Sequence, residues 1–167
     1  MTAQGALFRP ADSVELRRAF ACFPSGVVGL CALADGGPAG IAASSFTSVS
    51  LEPALVSVCV AHTSTTWPAL RVAGRLGISV LSEAGEAACL SLSAKGTDRF
   101  AALSWTAHDD GAVFLDNAVL RLNCSIEQEV AAGDHDIVVL RVHELSYHAD
   151  GRPLVFHGSR FRQLTGA

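Results

Sequence analysis

The sequence predicts a mainly β fold, an antiparallel barrel with a few peripheral helices. Short apolar runs recur along the chain, separated by turn residues such as Gly, Pro and Asp. Helical patterns are few and do not alternate with the strands, which argues against a doubly wound α/β sheet. Half of the 167 residues are hydrophobic and only 17% are charged. Closing the sheet into a barrel removes the exposed edges that so apolar a chain must avoid.

Three helices are expected outside the barrel. Asp12, followed by a glutamate at capping-box distance, begins the first helix, which should stop at the Pro-Ser-Gly of residues 24–26. Pro68 suits the first turn of a short second helix over residues 67–74. The Ala-rich segment 83–93 is expected to form the third helix.

Seven apolar runs predict strands. The turn residues 35–38 join the first two runs into a hairpin, and residues 131–134 form a tight connection between the two longest. The run over residues 54–61 is apolar almost throughout, so we expect both of its faces to be buried. Residues 97–111 form a less regular segment. The predicted strands cover residues 27–33, 39–46, 54–61, 76–81, 119–130, 137–147 and 154–157, and we expect one domain over residues 1–167.

Composition and charge argue against several classes of partner. Twelve Lys and Arg against sixteen Asp and Glu give a net charge of −4, and Lys95 is the single lysine, so we expect no nucleic-acid binding. No apolar run reaches the about 18 residues of a membrane span. Residues 1–13 also lack the order of a signal peptide, so we expect a cytoplasmic protein without a membrane partner.

Metal, disulfide and standard catalytic motifs are not apparent. The five cysteines include no CxxC pair and are expected to be reduced structural thiols, and the dispersed histidines predict no metal site. The glycines of residues 36–40 lie in a predicted hairpin rather than in a GxGxxG loop after a strand. Without a phosphate loop, HExxH or GxSxG, the sequence does not indicate a Rossmann, P-loop or standard hydrolase fold.

Small polar residues remain as candidates, each with two interpretations. The stretch 40–53 offers hydroxyls and amides to the edge of a flat heterocycle, although composition alone favours a strand end and turn. The hydroxyls of residues 63–66 precede a helix and either receive an anion or only cap the helix. Arg99 either binds phosphate or pairs with a carboxylate. In residues 133–136 a histidine between two aspartates forms either a polar lid over a cofactor or an ordinary hairpin turn.

Five short segments, taken in their order along the chain, resemble the motifs of a known protein family. The segments are Phe-Pro-Ser-Gly-Val at 23–27, Ser-Phe-Thr-Ser-Val-Ser-Leu-Glu-Pro at 45–53, Ser-Thr at 64–65, Asp-Arg-Phe at 98–100 and Gly-Asp-His at 133–135. This order resembles the flavin reductase family with an FMN-binding split β-barrel, in particular the reductase components of two-component flavin-dependent monooxygenases. The resemblance implies a split antiparallel barrel and hydride transfer from NADH or NADPH to FMN or FAD. Reduced flavin would diffuse to a partner oxygenase, and the apolar composition together with the family suggests a homodimer.

The resemblance also implies which residues hold the ligands. Backbone and hydroxyl groups would line the flavin, a second set would hold its phosphate end, and the nicotinamide nucleotide would dock around His135, which we expect to position it without acting as an acid or base. The implied ring contacts are Pro38, Ala39, Gly40, Ile41, Ala42, Ser44, Ser45, Phe46, Cys59, Val60, Ala61, Phe100 and Phe161; the implied phosphate contacts are Ser64, Thr65, Thr66 and Arg99; and the implied nucleotide contacts are Gly133, Asp134 and Asp136.

At two places the sequence departs from the family pattern, and these departures leave the identity of the flavin open. Ser91 and Leu92 stand where many relatives carry an Arg-Phe or similar pair, and Arg99 replaces the more usual Lys after Asp98. Because both changes concern the phosphate end, the sequence does not choose between FMN and FAD, nor between NADH and NADPH. Three rivals also stay open: a flavin carrier without turnover, a reductase of ferric complexes, and a structural domain without cofactor.

Overall fold

The computed structural model describes residues 6–165. Three short helices lie outside a mainly β architecture: α1 (Ser13–Phe20), α2 (Trp67–Arg71) and α3 (Glu86–Ser93). The strands are β1 (Ser25–Gly26), β2 (Val28–Ala34), β3 (Gly37–Ala43), β4 (Thr47–Leu51), β5 (Ala54–Ala61), β6 (Leu76–Val80), β7 (Trp105–Ala107), β8 (Val113–Leu115), β9 (Leu120–Ala132), β10 (His135–Tyr147), β11 (Val155–His157) and β12 (Arg160–Arg162).

A seven-stranded sheet forms the body of the molecule. Its order is β3-β2-β6-β9-β10-β5-β4, and every pairing in it is antiparallel. The edge strands β3 and β4 follow each other in the chain, yet no backbone pairing joins them in residues 6–165. The mainly β fold and the split antiparallel barrel are therefore confirmed, whereas the full closure expected from the apolar composition is wrong. Two small sheets, β1-β11-β12 and β7-β8, flank the body.

The predicted helices exist but are shorter than expected. Asp12 caps α1, because its carboxylate accepts from the backbone N–H groups of Val14 (2.9 Å) and Glu15 (2.8 Å). The first helix ends at Phe20, ahead of the predicted stop. The second helix ends at Arg71. The third begins at Glu86 because residues 82–85 form a turn, in which the Gly85 backbone N–H donates a hydrogen bond to the Ser82 carbonyl (2.7 Å).

The strand predicted over 39–46 is shorter than expected, and a further strand that was not predicted follows it. β3 ends at Ala43, and residues 47–51 form β4, which pairs with β5. Interpreting the stretch 40–53 as a strand end and turn was therefore wrong for β4. Ser and Thr are common in turns, but an edge strand with one open side also tolerates them. The short strands β1, β7, β8 and β12 were not predicted either.

The core lies on both sides of β2. Leu30 contributes to the barrel interior, and its neighbour Cys31 faces a second apolar cluster beneath α3 and β8. On β5 the central residues Val56, Ser57 and Val58 are all at most 7% exposed, so the predicted burial of both faces is confirmed there. All five cysteines are free thiols, and burial raises the pKa of Cys31 to about 12, which keeps this thiol protonated.

The helices of residues 6–165 are short. None of them combines the length and the apolar character needed to cross a membrane.

Candidate active site

A groove opens where the barrel is split. It has a volume of about 410 Å³, which lies within the range typical of small-molecule sites. The end of β3 and the loop after it form one wall, and the end of β5 forms the other. The start of β10 and the end of α3 complete the rim. The lining residues are Ile41, Ala42, Ala43, Ser44, Ser45, Cys59, Val60, Ala61, Ser64, Leu92, Ser93, Arg99 and His135.

Ser45 holds the two walls together across the split. Its hydroxyl accepts from the Cys59 backbone N–H (2.8 Å) and donates to the Cys59 carbonyl (3.3 Å). Thr47 pairs with Ser57 in the β4–β5 ladder, so Ser45 lies opposite Cys59 and extends that pairing towards the end of β3. Because Ala42 and Ala43, which line the groove, have no side chain beyond a methyl group, a flat ligand can come close to the main chain of this wall.

Arg99 links three elements at the groove. Its Nε donates to the Ala94 carbonyl (2.8 Å), and its Nη1 donates to the Gly40 carbonyl (2.9 Å) and the Thr66 hydroxyl (2.9 Å). All three acceptors are neutral, and no carboxylate within residues 6–165 forms an ion pair with this half-buried guanidinium. The carboxylate partner considered from the sequence is therefore not found, and the positive charge is available to an anion in the groove.

The β9–β10 hairpin brings His135 to the groove. Gly133 and Asp134 form its two-residue loop, and Gly133 takes the positive φ (+67°) that such a turn favours. The His135 Nδ1 donates to the Asp134 carboxylate (2.7 Å), which lowers the pKa of Asp134. Both interpretations of residues 133–136 are thus compatible with the structure, because the segment is a hairpin turn and its histidine lines the groove.

A second histidine fixes this hairpin to the end of β5. The His62 backbone N–H donates to the Asp134 carbonyl (3.0 Å), and its ring Nε2 lies 3.0 Å from the Asp136 carboxylate. The sequence did not single out His62, because nothing in its neighbourhood marks it until β5 and β10 are paired.

The hydroxyl cluster of residues 63–66 is divided between two roles. The Ser64 hydroxyl accepts from the Trp67 backbone N–H (3.2 Å) at the first residue of α2 and also lines the groove, while Thr66 is the N-cap residue. The Thr66 hydroxyl accepts from Arg99, and Thr65 is exposed. Since α2 has only five residues, the charge on this side of the groove comes from Arg99.

Several candidate residues lie beside the groove rather than on it. Pro38 and Ala39 line a neighbouring groove together with Phe100. Phe46 packs on the barrel core, and Phe161 packs edge-on against Phe156, with ring centroids 5.4 Å apart. Gly40 contributes its carbonyl to Arg99, while Gly133, Asp134 and Asp136 form the hairpin around His135.

Three lining residues were not among the ligand contacts predicted from the sequence, although Leu92 was noted at a position where relatives carry a different residue. Leu92 and Ser93 end α3, and Ala43 ends β3. Ala43 lies inside the polar stretch 40–53, so its small size could have marked it. The side chains of Leu92 and Ser93 do not by themselves indicate a ligand contact; the family resemblance marks the position of Leu92, and the packing of α3 against β3 brings both residues to the groove.

The groove fits a planar, polar ring system that carries an anionic tail. Small side chains and backbone groups form its walls, Ser45 and Ser64 supply hydroxyls, and Arg99 supplies one cation with neutral partners. Within residues 6–165 no group of three or more His, Cys, Asp or Glu side chains is placed to hold a metal ion. The donor set is that expected for a nucleotide-like heterocycle.

Comparison with known proteins supports this interpretation. Residues 20–165 match the family model described as "Flavin reductase like domain". The reductase subunit HsaB of a flavin-dependent monooxygenase from Rhodococcus jostii is 33% identical over 162 residues, covering 96% of this chain and 83% of that protein. The actinorhodin polyketide dimerase of Streptomyces coelicolor is 37% identical over 158 residues, which cover 94% of this chain and 89% of that protein.

A solved structure gives the same result at the level of the fold. The NADH:FAD oxidoreductase SgcE6 of Streptomyces globisporus, in complex with NAD and FAD fragments, superposes with a TM-score of 0.89 and 33% identity, covering 96% of this chain and 98% of that one. Since the family model spans most of the chain and the relatives match nearly end to end, the chain belongs to the flavin reductase like domain family.

Proposed function

We propose that this chain is an NAD(P)H-dependent flavin reductase that passes a hydride to FAD or FMN and supplies reduced flavin to a partner monooxygenase. The observation that carries the proposal is the groove at the barrel split, where small residues, hydroxyls, Arg99 and His135 meet. Relatives in the family bear names that describe different activities, so family membership alone does not fix the reaction. The chemistry of the groove supports the choice.

The chain's own residues would bind and orient the reactants. The flavin, when bound, supplies the hydride-accepting chemistry of its ring system. Ser45 and the amides of residues 41–45 would hydrogen-bond the ring edge, and Arg99 would hold the phosphate. His135 would orient the nicotinamide, and Val60, which is 3% exposed, keeps the inner wall apolar. None of these residues has to transfer a proton, so alignment of the reactants accounts for the catalysis.

The supply of reduced flavin to a second protein is consistent with an open groove. The flavin would be held by neutral hydrogen bonds and one cation, which suits a ligand that must leave after reduction. The relative from Rhodococcus jostii is named as the reductase subunit of a flavin-dependent monooxygenase. We infer the same role here, without assigning the oxygenase or its substrate.

We also infer a homodimer. Helix α1 has no buried residue, and its apolar side chains Leu16 and Phe20, which lie one turn apart on the same face, are 36% and 71% exposed. An amphipathic helix gains stability mainly by packing its apolar face. Because α1 leaves this face uncovered on its own chain, a second copy is the occupant we propose.

Anaerobic mixing with a reduced nicotinamide nucleotide tests the proposed reaction. Protein incubated with FAD or FMN should lose the visible flavin absorbance after NADH or NADPH is added, and riboflavin serves as a phosphate-free comparison. Bound flavin that stays oxidised with both nucleotides would show a carrier instead. Protein that fails to quench the fluorescence of either flavin would point to a domain without cofactor.

A further inference from the structure

A cluster of polar side chains lies at the turn between β7 and β8. It joins His108 and Asp110 of this turn to Asn123 on β9 and Glu144 on β10. Glu144 lies on the same strand as His135 but about 30 Å further along it, at about 3.3 Å per residue. The cluster is therefore remote from the candidate active site.

Asn123 holds the two carboxylates of this cluster together. The residue is 4% exposed, and its Nδ2 donates to Asp110 Oδ2 (2.8 Å) and to Glu144 Oε2 (3.3 Å). Asp110 also faces a cation, because its Oδ2 lies 3.6 Å from the Nε of Arg75. Glu144 has no Lys or Arg partner among residues 6–165. The negative charge of Glu144 is therefore balanced by His108 alone, and only when the imidazole is protonated.

The His108 ring lies between the same two carboxylates. Its Nδ1 is 3.0 Å from Asp110 Oδ1, and its Nε2 is 3.8 Å from Glu144 Oε2. A neutral imidazole has one N–H donor, whereas the protonated ring has two. If the neutral ring uses its donor on Asp110, Nε2 presents a lone pair to the Glu144 carboxylate. The arrangement in this structure therefore suits the protonated ring.

The cluster borders a cavity between β7 and β10. The cavity has a volume of about 280 Å³, and the apolar side chains of Ala107, Phe114 and Leu145 form part of its lining. His108, which follows β7, and Glu144 on β10 line it as well. These two side chains are 48% and 66% exposed, so they can separate without disturbing the core. Their contact joins the two strands at the cavity.

We propose that His108 and Glu144 form a pH-dependent latch between β7 and β10. When the imidazole is protonated, its Nε2 attracts the Glu144 carboxylate and the latch closes over the cavity. When the imidazole is neutral, the lone pair of Nε2 repels that carboxylate, and Glu144 moves away and opens the cavity to solvent. Asp110 stays bonded to Nδ1 in both states, so the turn keeps its position.

Charged groups from several elements surround the ring. They are Asp109 and Asp110 in its own turn, Glu144 on β10, Arg75 before β6 and Arg121 on β9. Arg75 approaches Asp110, and Arg121 pairs with Asp116 (3.3 Å). Because neither arginine pairs with Glu144, titration of His108 changes the charge balance of the latch.

The sign of the pH dependence follows from these charges. The hydrogen bond to Asp110 is the main cause that raises the pKa of His108 above its ordinary value, and the negative charges of Asp110, Glu144 and Asp109 raise it further. A group whose pKa is raised in the folded state stabilises that state fully below its ordinary pKa and loses this contribution as the pH rises through the raised value. The latch is therefore closed at about pH 6 and opens as the solution becomes alkaline.

NMR of the full chain tests the latch directly. The imidazole signals of His108 give its pKa, and a nuclear Overhauser contact between the ring and the Glu144 side chain reports the closed state. This contact should be present at about pH 6 and lost at about pH 9, with a midpoint at the His108 pKa. In Glu144→Gln the pKa of His108 should fall. Glu83→Gln, which removes a charge paired with Arg152 (4.0 Å), should leave it unchanged.

Urea unfolding gives a second readout. The urea midpoint of the wild type should fall between about pH 6 and about pH 9, and the fall should be smaller in His108→Gln, which cannot titrate. His148 is an exposed histidine whose ring has no ion-pair partner among residues 6–165, so His148→Gln should keep the wild-type fall. A ring–Glu144 contact that persists at about pH 9 would overturn the proposal. So would an unchanged His108 pKa in Glu144→Gln, or a His108→Gln protein with the wild-type pH dependence.

Discussion

His62 is a side chain that acts on the groove from outside it. It is joined to Asp134 through its backbone and to Asp136 through its ring. Successive side chains of a strand point to opposite faces. Since His135 faces the groove, Asp136 and its partner His62 lie behind it. His62 is therefore a positioning residue, which holds the hairpin that presents His135.

Removing His62 should affect the nucleotide and not the flavin. In His62→Ala we expect the KM for NADH to rise by about fivefold, as expected for loss of one hydrogen bond, with kcat and the FAD dissociation constant unchanged. His62→Gln keeps a donor for Asp136 and should restore the wild-type KM.

His143 offers a matched control for this measurement. It is an exposed histidine with one side-chain partner, Ser125, at 2.8 Å, and it lies on β10 away from the groove. His143→Ala should leave the KM for NADH unchanged. A His62→Ala enzyme with the wild-type KM would remove the positioning role.

At the residue scale, the site residues that could be predicted are those whose side chains carry ligand-binding groups. Ser45, Arg99 and His135 carry groups that bind ligands, and all three line the groove. Ser93 could not be found from the sequence, because its place in the rim follows from the packing of α3, and Leu92 was marked only by the family resemblance. The ligand roles of these residues remain predictions that the experiments above address.

The close packing of two elements, β6 and β8, depends on one glycine. A Cβ added at Gly77 would lie 2.1 Å from the Val113 carbonyl oxygen. The Val113 backbone cannot move away from the added Cβ as a flexible side chain could. Gly77→Ala should therefore reduce the free energy of unfolding by about 3 kcal/mol. Gly74, just before β6, has no atom within 4 Å of an added Cβ and serves as the control.

Urea unfolding of the two alanine variants checks this prediction. Gly74→Ala should change the free energy of unfolding by less than about 0.5 kcal/mol. A Gly77→Ala protein as stable as the control would show that β6 and β8 do not approach so closely.

Strand patterns were predictable where they were long and apolar. β5 and the long pair β9 and β10 follow such runs, and the β2–β3 hairpin follows its turn residues. β4 was missed because its Ser-rich sequence resembles a turn, and its pairing with β5 is a tertiary contact. β1, β7, β8 and β12 have two or three residues, too few for a periodicity to show, whereas the equally short β11 was predicted from the apolar run over 154–157.

At the scale of the whole molecule, the split of the barrel creates the site. A closed barrel would have joined β3 to its neighbour and left no groove, and the apolar content of the chain predicted closure. The same apolar content also predicted a second copy of the chain, and the uncovered face of α1 gives that prediction a location.

Sedimentation at micromolar concentration tests the dimer. The wild type should sediment as a dimer, and Phe20→Glu should shift it toward monomer by placing a charge on the apolar face of α1. Arg18→Glu changes an exposed residue about 200° around the helix from Phe20 and should leave the dimer intact. A wild-type monomer would contradict the inferred assembly.

The central claim is that the groove between the ends of β3 and β5 holds the flavin ring. A crystal structure of the protein with FAD tests it most directly. The account predicts the ring between residues 41–45 and 59–61, beside His135, with the phosphates at Arg99. Flavin bound elsewhere, with this groove filled by side chains, would contradict the account.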